Sequence, residues 1–254
     1  MILLELTHMK LPIACLLLPL ALAACGDDSS KNVTANAPAK PVAAVTAPTG
    51  QTWEETVVAT PEGGHRMGNP NAPIKLVEYG SRSCPTCGAF GREGMRPLAE
   101  KYVNTGKVSY EFRDFFVHGA PDLALGLLGN CAGVQPFFPI LEQMYQNQLA
   151  YLDKLQSMSS AMQAQLQSQT PAQQLTTLAE QMGMIDFVKQ RGISESQARA
   201  CLTDKAKTDA LAKFSDTATQ DGGVTGTPTF LINGTKADAV GWTQLEPLLK
   251  AAGG

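Results

Sequence analysis

Histidine is scarce in this chain of 254 residues, which carries only His8, His65 and His118. A histidine-rich metal cage is therefore not written into it. Net charge is small, −3 at neutral pH, so the basic footprint of a nucleic-acid binder is missing. No internal repeat is evident. Beyond the front of the chain, no apolar run is long enough to span a bilayer.

The one prominent apolar run comes first. Lys10 precedes "LPIACLLLPLALAAC", which ends at Cys25. It is too short for a comfortable permanent span and closes in small residues, the pattern of a signal peptide's apolar region and cleavage zone. Leu22-Ala23-Ala24-Cys25 resembles the bacterial lipobox. That resemblance implies removal of residues 1–24, a lipid on Cys25, and a protein anchored on the periplasmic side of a membrane; an ordinary signal peptide with a chance cysteine is the other reading. Glu5 is out of place in a positively charged leader, so Met9 is the expected start rather than Met1.

Residues 25–52 are polar, rich in Ala, Pro, Ser and Thr, and unable to bury a core. They are expected to form a flexible linker of roughly 25–30 Å root-mean-square span. Residues 53–254 then form one domain, large enough for a sizeable core and expected to be a monomer. Export also sorts the six cysteines. Cys15 leaves with the signal, Cys25 takes lipid, and Cys84, Cys87, Cys131 and Cys201 remain where disulfides persist.

Along that domain, "WEETVVAT" (53–60) predicts a short strand and "PEGGHRMGNPNAP" (61–73) a run of turns. "IKLVEYG" (74–80) predicts a central strand. A helix is expected from Cys84 to about Asn104, kinked by Pro97, and a strand at 107–117. A helical block follows at about 120–220. Within it "SMSSAMQAQLQSQTPAQQ" is weakly apolar, a long loop or a poorly packed helix, and Ser194 is a candidate N-cap. "TPTFLING" and "TKADAVG" read as a hairpin across Asn233-Gly234, and "WTQLEPLLKAA" as a closing helix. This order predicts an α/β, thioredoxin-like fold with a large helical insertion.

Chemistry concentrates in Cys84-Pro85-Thr86-Cys87, between a strand and a helix. First-turn N–H groups and the helix dipole favour a thiolate there, and can bring a cysteine pKa to roughly 3.5–7.5. Cys87, inside the first turn, can attack a disulfide formed on Cys84. Pro85 suits an early helical position, where its missing N–H costs nothing. A lone C-x-x-C has two other readings: half of a zinc site, which lacks a second close pair here, or a short structural disulfide, which removes little chain entropy.

"GNPNAPIKLVEYGSRSCPTC" and "VTGTPTFLING" together resemble the DsbA-like branch of the thioredoxin superfamily, exported thiol–disulfide oxidoreductases, over residues 55–254. The resemblance implies a redox pair at Cys84 and Cys87, with no cofactor and no metal. It implies a cis Pro228 facing them, with the Thr227 backbone open to a substrate strand, and Glu78 beneath them as a proton relay. It implies a second disulfide between Cys131 and Cys201, two free thiols being the alternative. His65 and His118 are expected to be loop residues without a catalytic role. The expected partners are unfolded or reduced exported proteins, with room for a DsbB-like membrane partner.

The Pro-Thr dipeptide between the cysteines is closer to that of DsbA than to thioredoxin's, but lacks the histidine that would favour a thiolate. Thr227 points toward isomerases and reductases. The short, polar 26–52 segment provides no dimerisation domain, so a monomeric oxidase is the expectation. Isomerase or reductase activity, and a lipid-anchored peptide-binding module, are the alternatives.

Overall fold

The computed structural model describes residues 40–220 and 222–254. The expectations for the signal peptide, for Cys15 and for lipidation at Cys25 lie outside the described residues.

The sheet domain opens with a 3-10 turn at Trp53–Glu55, and strand β1 spans Val57–Ala59. The predicted strand thus begins late. The Glu55 carboxylate accepts from the Thr52 amide and hydroxyl, at 2.7 and 3.0 Å, and curls the chain. β2 (His65–Met67) lies inside the stretch predicted as turns and pairs antiparallel with β1. Three residues carry no readable period, and Gly64 lets the backbone close on β4 (Val108–Asp114), where an added Cβ would stand 2.7 Å from the Phe112 carbonyl. His65 is therefore a strand residue, not a loop residue.

β3 (Ile74–Gly80) is central: it pairs parallel with β4 and antiparallel with β5 (Thr229–Ile232). The sheet order is β1-β2-β4-β3-β5-β6, with β6 at Thr235–Lys236. Asn233 and Gly234 turn the β5–β6 hairpin with φ of 50° and 80°, the left-handed region this dipeptide favours.

Between β3 and β4 the single expected helix is divided. α1 (Pro85–Glu93) ends at Gly94, α2 runs Met95–Leu98, and a π-type turn covers Ala99–Val103. Pro97 has no N–H for the Glu93 carbonyl, so the regular ladder cannot continue across Gly94.

The insertion comprises α3 (Ala120–Asn130), α4 (Phe137–Gln146), α5 (Gln148–Gln156), α6 (Ser160–Ser168), α7 (Pro171–Gln181), α8 (Met184–Lys189), α9 (Glu195–Thr203) and α10 (Lys205–Gln220). α6 buries no residue, as its weak pattern predicts. Ser194 caps α9, accepting from the Gln197 amide at 3.2 Å. α11 (Trp242–Ala251) closes the chain.

There are two main cores. One joins the sheet to α1, α2 and α11, with Phe90, Tyr110, Phe112 and Phe230 at its centre. The other lies among α3, α7, α8 and α9. α4 is the shared wall, with Phe137, Phe138, Leu141 and Tyr145 on the first side and Ile140 and Met144 on the second. This is a thioredoxin-like α/β fold with a helical insertion.

The domain boundary lies earlier than residue 53. The Val42 amide donates to Gly253 O (2.9 Å) and the Val45 amide to Thr105 O (2.8 Å). The Trp53 indole donates to Val45 O at 2.6 Å, and Val42 and Ala47 pack on the sheet core. Gly106 admits this segment, since a Cβ there would meet Val45 O at 2.4 Å. The linker's last stretch, from residue 42 on, is thus docked rather than free.

Candidate active site

β3 delivers the chain to the site, and α1 receives it. Cys84 is the residue before the first helical turn, with φ −74° and ψ 120°, and its carbonyl accepts the first helical bond from Gly88 N at 3.0 Å. Pro85 takes the first helical position. Cys87 is completely buried, and both thiols are free. The Thr227–Pro228 peptide is cis, and the Cys84 thiol donates to Thr227 O at 3.4 Å. The early motif and the late one thus meet at one sulfur. The Ser81 amide donates to Cys87 Sγ at 3.5 Å.

The two thiols differ in acidity. Cys84 is brought down to about 5, first by a hydrogen bond from the Cys87 thiol, against burial, then by Thr227 and the backbone N–H groups of Cys87 and Thr86. The Thr227 hydroxyl is buried with no hydrogen-bond partner among the described residues. Cys87 is pushed well up, first by burial, then by donating to Cys84, then by the negative charge of Glu78. Such a pair has one sulfur ready as a nucleophile or leaving group and one that holds its proton.

Glu78 is fully buried on β3. Burial raises its pKa to about 8, with the charge of Cys84 adding to the rise and a hydrogen bond from the Tyr110 hydroxyl opposing it. Its Oε1 has no partner among the described residues. It therefore carries a proton at neutral pH.

Sequence reading did not find the residues that hold this loop. Arg82 is fully buried and grips Asp114 through Nε–Oδ1 (2.8 Å) and Nη2–Oδ2 (3.1 Å). Its guanidinium lies 5.5 Å from the centre of the Phe112 ring and 5.1 Å from that of Phe137. Asp122, buried in the first turn of α3, accepts from the Ser81 hydroxyl (2.7 Å), the Ser83 hydroxyl (2.5 Å) and the His118 amide (2.9 Å). Ser81 Oγ in turn accepts from the Cys84 amide at 3.0 Å. A signal existed for Asp114: the parallel register sets it opposite Gly80, two residues before Arg82. Asp122 left none.

His118 sits in the loop after β4, its Nδ1 2.7 Å from Ser83 Oγ. His65 stacks on Phe137 with centroids 3.8 Å apart, and burial brings its pKa down to about 4. Cys131 and Cys201 are joined to each other as a disulfide between the ends of α3 and α9. Among the described residues, no group of three or more His, Cys, Asp or Glu is disposed to hold a metal ion.

Comparison with known proteins agrees with this geometry. A family model described as thioredoxin matches residues 60–251. The solved structure of a protein-disulfide isomerase from Novosphingobium aromaticivorans is 31% identical with a TM-score of 0.70, covering 74% of this chain and 95% of that one. That of Wolbachia pipientis alpha-DsbA1 shares the fold, at 22% identity and a TM-score of 0.58, covering 79% of this chain and 98% of that one. A Rickettsia bellii sequence carrying the provisional name protein-disulfide oxidoreductase is 25% identical over 172 residues, 68% of this chain and 58% of its own length. The chain spans little more than half the length of the curated relatives it first matches, between 52% and 58%.

Proposed function

The chain belongs to the DsbA-like thiol–disulfide oxidoreductases of the thioredoxin superfamily, and within that family we propose that it is an exported dithiol oxidase acting on reduced proteins. The observation that carries the reading is the divided acidity of the pair, Cys84 down to about 5 and Cys87 well up. A stabilised thiolate favours the reduced enzyme, which makes its disulfide an oxidant.

In the proposed cycle the oxidised enzyme holds a Cys84–Cys87 disulfide. A client thiolate attacks Cys84 Sγ; the Cys84–Cys87 bond breaks, and Cys87 leaves as a thiolate that takes the proton of Glu78. A second client thiolate attacks the client sulfur of the mixed disulfide, and Cys84 departs as its stable thiolate. The client gains a disulfide and the pair gains two electrons. Thr227, beside Cys84, offers its backbone to an extended client segment. A membrane partner of the DsbB type would return the electrons. The Cys131–Cys201 disulfide plays no part in exchange and braces the insertion.

The test is the reduction potential of the Cys84–Cys87 pair. A value near −120 mV, that of DsbA, supports the oxidase reading, and one near −270 mV, that of thioredoxin, overturns it. Two features favour the second reading, an isomerase or reductase: threonine before the cis proline, and the likeness to the Novosphingobium aromaticivorans protein-disulfide isomerase. A pure peptide-binding module would keep its function in Cys84→Ser; an oxidoreductase would not.

Lipidation at Cys25, with residues 1–24 removed, is part of the same proposal. Labelled fatty acid incorporated by the wild type and lost in Cys25→Ser would support it, and equal labelling of the two would overturn it.

A further inference from the structure

The helical insertion reaches the redox loop through one side chain that the exchange steps do not use. Gln148, at the start of α5, is completely buried. Its amide nitrogen donates to two carbonyls of the loop, Arg82 O at 3.0 Å and Cys84 O at 2.8 Å. Cys84 O already accepts the first bond of α1 from Gly88, so Gln148 fills its second lone pair. Tyr151, one turn along α5, donates to Arg82 O at 2.5 Å.

The other end of the amide faces α1. A Cβ on Gly88 would lie 1.8 Å from Gln148 Oε1 and 2.5 Å from its Cδ. Gly88 has an ordinary helical φ, so what it provides is room for this side chain rather than conformational freedom. Gln148 Oε1 finds no hydrogen-bond partner among the described residues. A polar group buried at that cost, in a space that only glycine leaves open, is held for what its nitrogen does.

We infer that Gln148 is a positioning residue for Cys84: by gripping the carbonyls on both sides of Ser83 it fixes Cys84 as the cap of α1, with its sulfur at the amino end of the helix. The inference rests on the oxidoreductase reading and deepens it. The first-turn N–H groups that favour the Cys84 thiolate serve it only while Cys84 stays in the capping conformation. The nucleophile is then set by the insertion as well as by the helix that carries it.

Ionisation of Cys84, followed by thiolate absorbance in the reduced full-length protein, tests this together with equilibration against glutathione. Gln148→Met keeps the side-chain length and removes the donor. Its Cys84 should ionise less readily by roughly fivefold, about one hydrogen bond's worth, and its disulfide should become correspondingly less oxidising. Gln148→Glu should shift it further, because a carboxylate repels both carbonyls and the thiolate. Gly88→Ala, which displaces the amide without altering it, should move ionisation in the same direction. Should Gln148→Met fold poorly, Gln148→Asn, one methylene shorter, reports the same loss of reach.

Folded variants whose Cys84 ionises and equilibrates like the wild type overturn the inference and leave the oxidoreductase reading intact. A wild-type Cys84 that ionises like a free thiol overturns that reading instead.

Discussion

At the scale of single residues, the chemistry depends on where three protons reside. With Cys84 at about 5 and Cys87 far above it, reduction takes up one proton per two electrons at neutral pH and two below pH 5. The reduction potential should fall by about 30 mV per pH unit above that point and by about 60 mV below it. An electrochemical or glutathione titration from pH 4 to 8 checks the break; a single slope throughout would count against a depressed Cys84. In the proposed cycle Glu78 returns a proton to Cys87, so Glu78→Gln should slow single-turnover exchange by about a hundredfold, together with loss of the inflection near pH 8. Cys87→Ala should accumulate mixed disulfides on Cys84, visible on non-reducing gels. Cys84, Cys87, Glu78 and Pro228 were legible because each lies at a fixed offset in a short motif. Arg82, Asp122 and Gln148 were not, because their partners lie 32, 39 and 64 residues away along the chain, and nothing in local sequence records such a meeting.

At the scale of elements, the redox loop is anchored at the junction between β4 and α3. Asp114 accepts from both Arg82 and Asn130, the latter at 3.0 Å, with Arg82 wholly enclosed. Asp114→Asn leaves that guanidinium buried and uncompensated, and should cost about 3–5 kcal/mol in denaturant unfolding. Arg82→Met with Asp114→Leu, which removes both charges, should cost less. The Cys131–Cys201 bond closes a loop of 70 residues; Cys131→Ala with Cys201→Ala should lose roughly 4 kcal/mol in the chain-entropy description while exchange at Cys84 persists. Elements with a clear period, β3, β4 and α11, were predictable from sequence within a few residues. β2 was not, because three residues cannot display alternation, and the break at Gly94 was misplaced to Pro97, because the proline's missing donor is felt one turn earlier.

For the whole molecule, redox state and pH act together on stability. The folded value of Cys84, about 5, lies below its ordinary 9.0, so its contribution is complete above pH 9 and is lost as pH falls through 5. Glu78 works in the opposite sense. Its folded value, about 8, lies above its ordinary 4.5, so its contribution is complete below pH 4.5 and is lost as pH rises through 8. In the reduced protein the two trends oppose each other between pH 5 and 8. Oxidation removes the Cys84 half, so the reduced form should gain stability over the oxidised form as pH rises from 5 to 9. Parallel unfolding curves of both forms at pH 5 and pH 8 measure that difference, and a constant gap would contradict it.

The segment from Val42 to Trp53 lies against Thr105 and Gly253, beside the end of the parallel pair where β4 begins. Cys84 follows the other end, seven paired residues away, about 23 Å of strand. The docked segment and the reactive sulfur therefore lie at opposite ends of the β3–β4 pair. Protein coupled to beads through a cysteine newly placed at Lys40 should process a soluble peptide dithiol as fast as free protein does. The same coupling at Leu152, beside Ser83 and Pro85, should shield the reactive sulfur and slow it.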